Sequence, residues 1–230
     1  MNVCITGTAR GIGLALAQLF LQKGHTVWGI DRNPSSLSHG NYTHFICDIR
    51  DTQRLPNLQN VEILINNAGT QNEEDIDINL KALIALSERY ALQPAIRSVL
   101  NIGSASGHTG AEFPAYCASK GGVMAYTKNL ALRVAKYGAT CNSLDPGGVL
   151  TPLNECVMND PELWEQIMKE TPLKRWATPE EIAAWGYFLT VENTFATGQN
   201  IVVDGGESIN FHFVWKEESA DDAKPLSTRD

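Results

Sequence analysis

The sequence predicts an α/β protein built on an open sheet, and three observations carry that expectation. A short apolar strand, Val3-Cys4-Ile5, passes through a glycine loop into a largely apolar helix over residues 14–21. Strand, glycine loop and helix in succession are the setting a dinucleotide-binding fingerprint requires. The next apolar run, residues 26–30, ends in Asp31, an acid about 20 residues beyond the glycines. A later apolar run, residues 98–102, ends just before Ser104, where a hydroxyl at a strand's carboxyl end can face a ligand.

Bulk properties narrow the class. A chain of 230 residues suffices for one large domain with a sizeable core. Its net charge of −8 argues against a broad nucleic-acid or anionic-membrane surface. The five cysteines, Cys4, Cys47, Cys117, Cys141 and Cys156, show neither CxxC nor zinc-ligand spacing. That pattern leads us to expect no metal site and reduced, mostly packed thiols in a cytoplasmic protein. The sequence starts almost directly in an apolar strand with no basic n-region, so no signal peptide is expected, and no apolar run approaches the ~20 residues of a membrane span.

Along the chain, Gly7, Gly11 and Gly13 let the backbone approach a pyrophosphate, whose charge the following helix N-terminus stabilises. Packing alone would also explain glycines in a tight turn; the spaced acid Asp31 favours the dinucleotide. Further on, Tyr116 and Lys120 lie four residues apart and share a face if their segment is helical. An ammonium near a phenol lowers the tyrosine pKa from about 10, which makes Tyr116 a candidate general acid/base.

Taken together, TGxxxGIG at residues 6–13, Asn66-Asn67-Ala68-Gly69, Ser104 and Tyr116-x-x-x-Lys120 resemble the short-chain dehydrogenase/reductase family. The motifs follow the family's order and cover residues 1–206. The resemblance implies one Rossmann domain, a doubly wound parallel sheet of about seven strands with helices on both faces. It also implies an NAD(P)-dependent oxidoreductase interconverting a secondary alcohol and a ketone, with Ser104, Tyr116, Lys120 and Asn79 as catalytic residues. On the family pattern the cofactor would meet Gly7, Arg10, Gly11, Ile12 and Gly13 in the loop, and Asp31 and Arg32 after the second strand. It would then meet Asp48 and Ile49, Asn67, Ala68 and Gly69, Tyr116 and Lys120, and finally Pro146, Gly147, Val149 and Thr151.

The remaining elements follow in order. Residues 43–47 read as a third strand; Asp48 then either sits near the adenine or caps a short helix from Asp51. Residues 61–65 read as the fourth strand, followed by Asn66 and Asn67, whose amides can also tie neighbouring strand ends together. Residues 73–92 read as a helix carrying Asn79, an unfavoured residue there, which the family uses to hold a relay water. Only residues 70–78 separate Gly69 from Asn79, shorter than the family's usual spacing, so one wall of the site is expected to be open or covered from elsewhere. Residues 113–137 read as the helix of Tyr116 and Lys120, and residues 139–144 as a strand leading into the Pro146-Gly147 turn. Residues 153–175 match the family's substrate lid, and Thr178 with Glu181 is a helix capping box. Residues 199–203 read as the last strand. The aromatic stretch 211–215 is expected to pack on the protein, with an acidic tail disordered at its end.

We therefore expect NAD as cofactor, with NADP less favoured because of Asp31, a small-molecule alcohol or ketone substrate, and a homodimer or homotetramer. Ser106 rivals Ser104, and His108, Glu112 and Trp164 are possible substrate contacts. A binding protein with this fold and little turnover is the alternative, supported by the shortened wall before Asn79.

Overall fold

The computed structural model describes residues 1–111 and 113–210; Glu112 and the aromatic stretch 211–215 lie outside them. Seven strands form one sheet: β1 (Asn2–Thr6), β2 (Thr26–Asp31), β3 (Tyr42–Ile46), β4 (Ile63–Asn66), β5 (Ser98–Ile102), β6 (Thr140–Pro146) and β7 (Asn200–Val203). Their order is β3-β2-β1-β4-β5-β6-β7, with every neighbouring pair parallel. Parallel strands need crossovers, and four of the six are helical, built on α1 (Gly11–Gln22), α2 (Leu83–Tyr90), α4 (Pro114–Val134) and α7 (Pro179–Tyr187), while residues 32–41 and 47–62 cross without a helix. Further helices, α3 (Ser106–Thr109), α5 (Glu155–Met158) and α6 (Pro161–Glu170), follow the carboxyl ends of β5 and β6.

Strand residues alternate between two cores. Val3, Ile5, Ile63, Ile65 and Leu100 face Leu16 and Phe20 of α1 and Ile182 of α7. Cys4, Leu64, Val99 and Cys141 face Leu86 and Tyr90 of α2 and Leu130 and Val134 of α4. Burial on both faces is why the central strands read as unbroken apolar runs.

Element ends shift from expectation by a residue or two, as at β4, which begins at Ile63 rather than Val61. Two differences are larger. The helix expected over 73–92 begins as a π-helical turn, Ile76–Ala82, that winds into α2. The stretch after Ser104 contains α3, a helix for which the sequence reading assigned no element. No helix begins at Asp51, so the capping role considered for Asp48 falls; its Oδ1 instead accepts from Arg50 N at 2.9 Å. The expected capping box is present: Thr178 Oγ1 accepts from Glu181 N at 3.3 Å and Glu181 Oε2 from Thr178 N at 2.9 Å.

Candidate active site

The strand order reverses between β1 and β4, and a cleft of about 900 Å³ opens at the carboxyl ends of the strands there. Of the residues expected to meet a cofactor, all but Gly13 line it. Gly13 faces inward, where a Cβ would overlap the Gly7 carbonyl oxygen. Its absent side chain serves close packing of α1 on β1 rather than ligand contact. Gly7 takes φ +75°, a left-handed conformation glycine adopts at little cost, and its N–H donates to Ile30 O at 2.8 Å.

Helix α1 opens on the cleft with no side-chain cap and no acid in its first turn. Its leading amides therefore have no intrahelical partner and face the cleft with the positive end of the helix dipole. That end suits a pyrophosphate. Asp31, 8% exposed, is held firmly: Oδ2 accepts from Ala9 N at 3.0 Å, and Oδ1 from Asn33 N at 2.8 Å and Asn33 Nδ2 at 3.2 Å. Arg10 and Arg32 are exposed at the same end of the cleft. Asp48 pairs with Arg50 at 2.7 Å, and that guanidinium's hydrogen bonds hold its carboxyl below the ordinary range. Buried Ile49 lies beside it.

The asparagine motif is partly structural. Asn66 Nδ2 donates to Asn101 Oδ1 at 2.9 Å and Ser87 Oγ at 3.0 Å, joining β4 to β5 and α2. Asn67 Nδ2 donates to Thr6 O at 2.9 Å, and Thr6 Oγ1 accepts from the Asn67 and Ala68 amides at 3.0 Å. Asn67, Ala68 and Gly69 are thereby fixed as a smooth cleft wall.

At the other end Ser104, Tyr116 and Lys120 converge. Tyr116 and Lys120 share a face of α4, with Lys120 Nζ 5.6 Å from the Tyr116 ring centre. The Ser104 hydroxyl lies close enough to the Tyr116 phenol to favour its ionised form. Ser106 lines the cleft but its N–H donates to Ser104 Oγ at 3.2 Å, so it supports Ser104 rather than replacing it. Lys120 Nζ is buried and donates to Ile102 O at 2.8 Å; burial pulls its pKa down to about 8. The expected lowering of the Tyr116 pKa is absent. Burial raises it, and the nearby Ser104 hydroxyl offsets this only in part.

Asn79 is buried outside the cleft lining. Its Oδ1 accepts from Thr70 N at 2.8 Å, and its Nδ2 donates to Thr70 O at 3.0 Å and Ser119 Oγ at 3.1 Å. It thus clamps the short segment after Gly69 onto α4. His108 and Trp164 also lie outside the lining: His108 meets Asp145 at 2.6 Å, and Trp164 packs edge-on against Trp176 with ring centres 5.0 Å apart. Pro146, Gly147, Val149 and Thr151 line the cleft floor, and Leu153, Val157 and Ile167 from the expected lid cover it. Sequence reasoning missed several lining residues, among them Asn33, Thr70, Phe113, Trp176, Glu207 and Ser208. No group of histidine, cysteine and acidic residues among those described could hold a metal.

Known proteins share these features. A family model described as Enoyl-(Acyl carrier protein) reductase matches residues 7–208. The 3-oxoacyl-[acyl-carrier-protein] reductase FabG of Rickettsia prowazekii is 33% identical over 230 residues, covering 88% of this chain and 94% of that protein. Carbonyl reductase family member 4 of Xenopus laevis is 33% identical over 236 residues, covering 89% and 97%. A solved structure of a 4-hydroxyisoleucine dehydrogenase mutant with NADH and succinate superposes with a TM-score of 0.83 at 29% identity, covering 91% and 99%. With the motifs gathered at one cleft and the family model spanning nearly the whole fold, the chain belongs to the short-chain dehydrogenase/reductase family of oxidoreductases.

Proposed function

We propose that this protein interconverts a secondary alcohol and a ketone, using NAD in preference to NADP. The observation that carries the reading is the convergence of Ser104, Tyr116 and Lys120 at one end of a cleft whose other end is built for a dinucleotide. When bound, the nicotinamide supplies or accepts the hydride. The chain's own residues do the rest. In the reducing direction Tyr116 donates its phenolic proton to the substrate oxygen as a general acid. Ser104 orients that phenol and offers its hydroxyl to the same oxygen. Lys120 spends one N–H on Ile102 O and keeps two for a ribose hydroxyl and for the electrostatics of Tyr116. Asn79 holds the segment after Gly69 against α4 through Thr70 and Ser119.

Asp31 supports NAD. Its pinned carboxylate can accept from ribose hydroxyls and repels a phosphate in their place. Solved relatives carry NADH, NAD or NADP, so the family as a whole does not decide the choice. For the substrate, the names of the relatives span 3-oxoacyl thioester and hydroxy-acid chemistry. Apolar Leu153, Val157 and Ile167 over the cleft suit a substrate with an apolar arm. We take the protein to work in the cytoplasm as a homodimer or homotetramer. No helix among the described residues is long and apolar enough to cross a membrane, and Leu132 on the outer face of α4 is 80% exposed.

A screen of ketones, 3-oxoacyl thioesters and secondary alcohols with both cofactors tests the reading. Turnover with at least one substrate, lost in Tyr116→Phe, is the expected result. Tight dinucleotide binding with no turnover across the screen would favour a binding protein instead.

A further inference from the structure

A buried carboxylate lies behind the end of β5 that holds Lys120, and the reaction just described makes no use of it. Asp145, near the carboxyl end of β6, has no exposed surface. Its Oδ2 meets His108 Nε2 at 2.6 Å. Its Oδ1 has no hydrogen-bond partner among the described residues, although Ser143, two residues back on the same strand face, approaches the carboxylate. That free oxygen is pressed against Gly103, where a Cβ would overlap it. Gly103 lies between Ile102, whose carbonyl holds Lys120 Nζ at 2.8 Å, and Ser104. The backbone fixes this arrangement: Gly103 N donates to Leu144 O at 2.8 Å and Ala105 N to Pro146 O at 2.9 Å.

Helix α3 brings His108 to the carboxylate. It lies tight on α4, because a Cβ at Gly107 would come within 3.0 Å of the Lys120 carbonyl carbon. The His108 side chain is 28% exposed, so the pair reaches from solvent to the buried end of β6. An ionised carboxylate buried this deeply is strongly disfavoured unless cations answer it. Burial pushes the Asp145 carboxyl above the ordinary range, and two groups pull it back towards the ionised form, His108 by hydrogen bond and Lys120 by charge. The converse also holds: an ammonium buried as Lys120 is needs a counter-charge to stay protonated.

We infer that Asp145, aimed by His108, is the counter-charge that keeps Lys120 an ammonium at working pH. The pair is a positioning device for the lysine and sets the alkaline edge of activity. Its effect on rate rests on the reading of Lys120 as catalytic; its effect on the ionisation of Lys120 does not. The direction follows from the surroundings. Burial lowers Lys120 to about 8, while Asp145 first and Asp75 second act to raise it. Asp75, on the loop before the π-helical turn, is bonded separately by Thr70 Oγ1 and Asn72 N. Tyr116, one turn earlier on α4, is the remaining titratable neighbour.

The test reads Lys120 directly, by the 13Cε shift of labelled lysine in the full chain titrated with pH, the resonance being assigned with Lys120→Arg. In Asp145→Asn the Lys120 midpoint should fall by about one pH unit or more. The alkaline limb of kcat/KM should move down by the same amount. His108→Leu strips the carboxylate of its donor, favours the neutral acid and should lower the midpoint in the same direction. His108→Gln keeps an N–H donor and should hold the midpoint near that of the parent. An unchanged midpoint in folded Asp145→Asn, or equal midpoints in the two His108 variants, would overturn the inference. If Asp145→Asn does not fold, the His108 pair decides on the same readout. Should the parent turn over no substrate, the catalytic reading fails while the midpoint shifts still decide the counter-charge.

Discussion

Replacing Asp31 by asparagine removes one negative charge at the cleft edge and little else. The side chain keeps its shape and one acceptor oxygen. One of the bonds from Ala9 N at 3.0 Å or Asn33 N at 2.8 Å is lost, a cost of about 1 kcal/mol in stability. For a chain of this size that lowers Tm by about 2–4 °C, so the variant should remain folded for assay. The effect on cofactor choice is larger. Two unit charges about 4 Å apart at an effective dielectric near 20 repel by about 4 kcal/mol. Each 1.4 kcal/mol corresponds to a factor of about ten, which sets a ceiling near a thousandfold. Solvent and salt at the open side of the cleft reduce that figure, and Arg10 and Arg32 oppose it from exposed positions. A gain of at least about tenfold in the ratio of kcat/KM for NADP over NAD is therefore expected. Both constants should be measured for parent and variant at fixed ionic strength, alongside Tm. A parent that already favours NADP, or a folded variant with an unchanged ratio, would refute the assignment of Asp31 as selector.

Tyr116→Phe should lose turnover by at least about a hundredfold while dinucleotide affinity, read by fluorescence or calorimetry, stays within about threefold; substantial residual turnover would contradict the assignment. Gly13→Ala forces a Cβ onto the Gly7 carbonyl and should destabilise by about 1–3 kcal/mol, weakening dinucleotide binding by displacing α1 from β1; a denaturant midpoint equal to the parent's would show that the loop yields. Alkaline unfolding should set in early. Burial raises Cys4, Tyr90 and Tyr126 each to about 12, from ordinary values of 9.0, 10.0 and 10.0. The folded chain keeps these protons where the unfolded chain releases them, so their stabilisation is whole below pH 9.0 and is lost as pH rises towards about 12. Lys120 works the other way between about 8 and 10.5, but burial raises Cys47, Tyr116 and Cys141 as well, so it is outnumbered. A Tm that holds to about pH 9 and then falls is expected; a flat Tm to pH 11 would contradict this ledger.

What the chain's text revealed best was local. The glycine loop, Asp31, Ser104 and the Tyr116–Lys120 pair each rest on a short spacing or a strand end, and the structure brings them to one cleft. Gly13 shows the limit of that reasoning. Its place in a ligand motif suggested contact, yet its missing side chain serves helix-on-strand packing. The π-helical turn at Ile76–Ala82 left no trace, because a shift of hydrogen-bond partner changes no residue type. The His108–Asp145 pair was hidden for another reason. Its members lie 37 residues apart, on α3 and β6, and only the pairing of β5 with β6 brings them together.

Tyr116 and Lys120 draw the line most sharply. Their spacing of four residues correctly made them neighbours, and neighbours of opposite ionised charge stabilise each other's charged forms. The sign of each pKa shift nevertheless came out opposite to what that attraction alone requires. Burial raises the phenol and lowers the ammonium, so each neutral form gains. Depth in the fold depends on which strands and helices close over a residue, and no spacing along the chain encodes it. Lys120 is sunk between α4 and the end of β5, and its main compensation comes from a carboxylate on β6. The ionisation on which the proposed chemistry depends is thus set by residues outside the YxxxK motif, with Asp145 the first to alter.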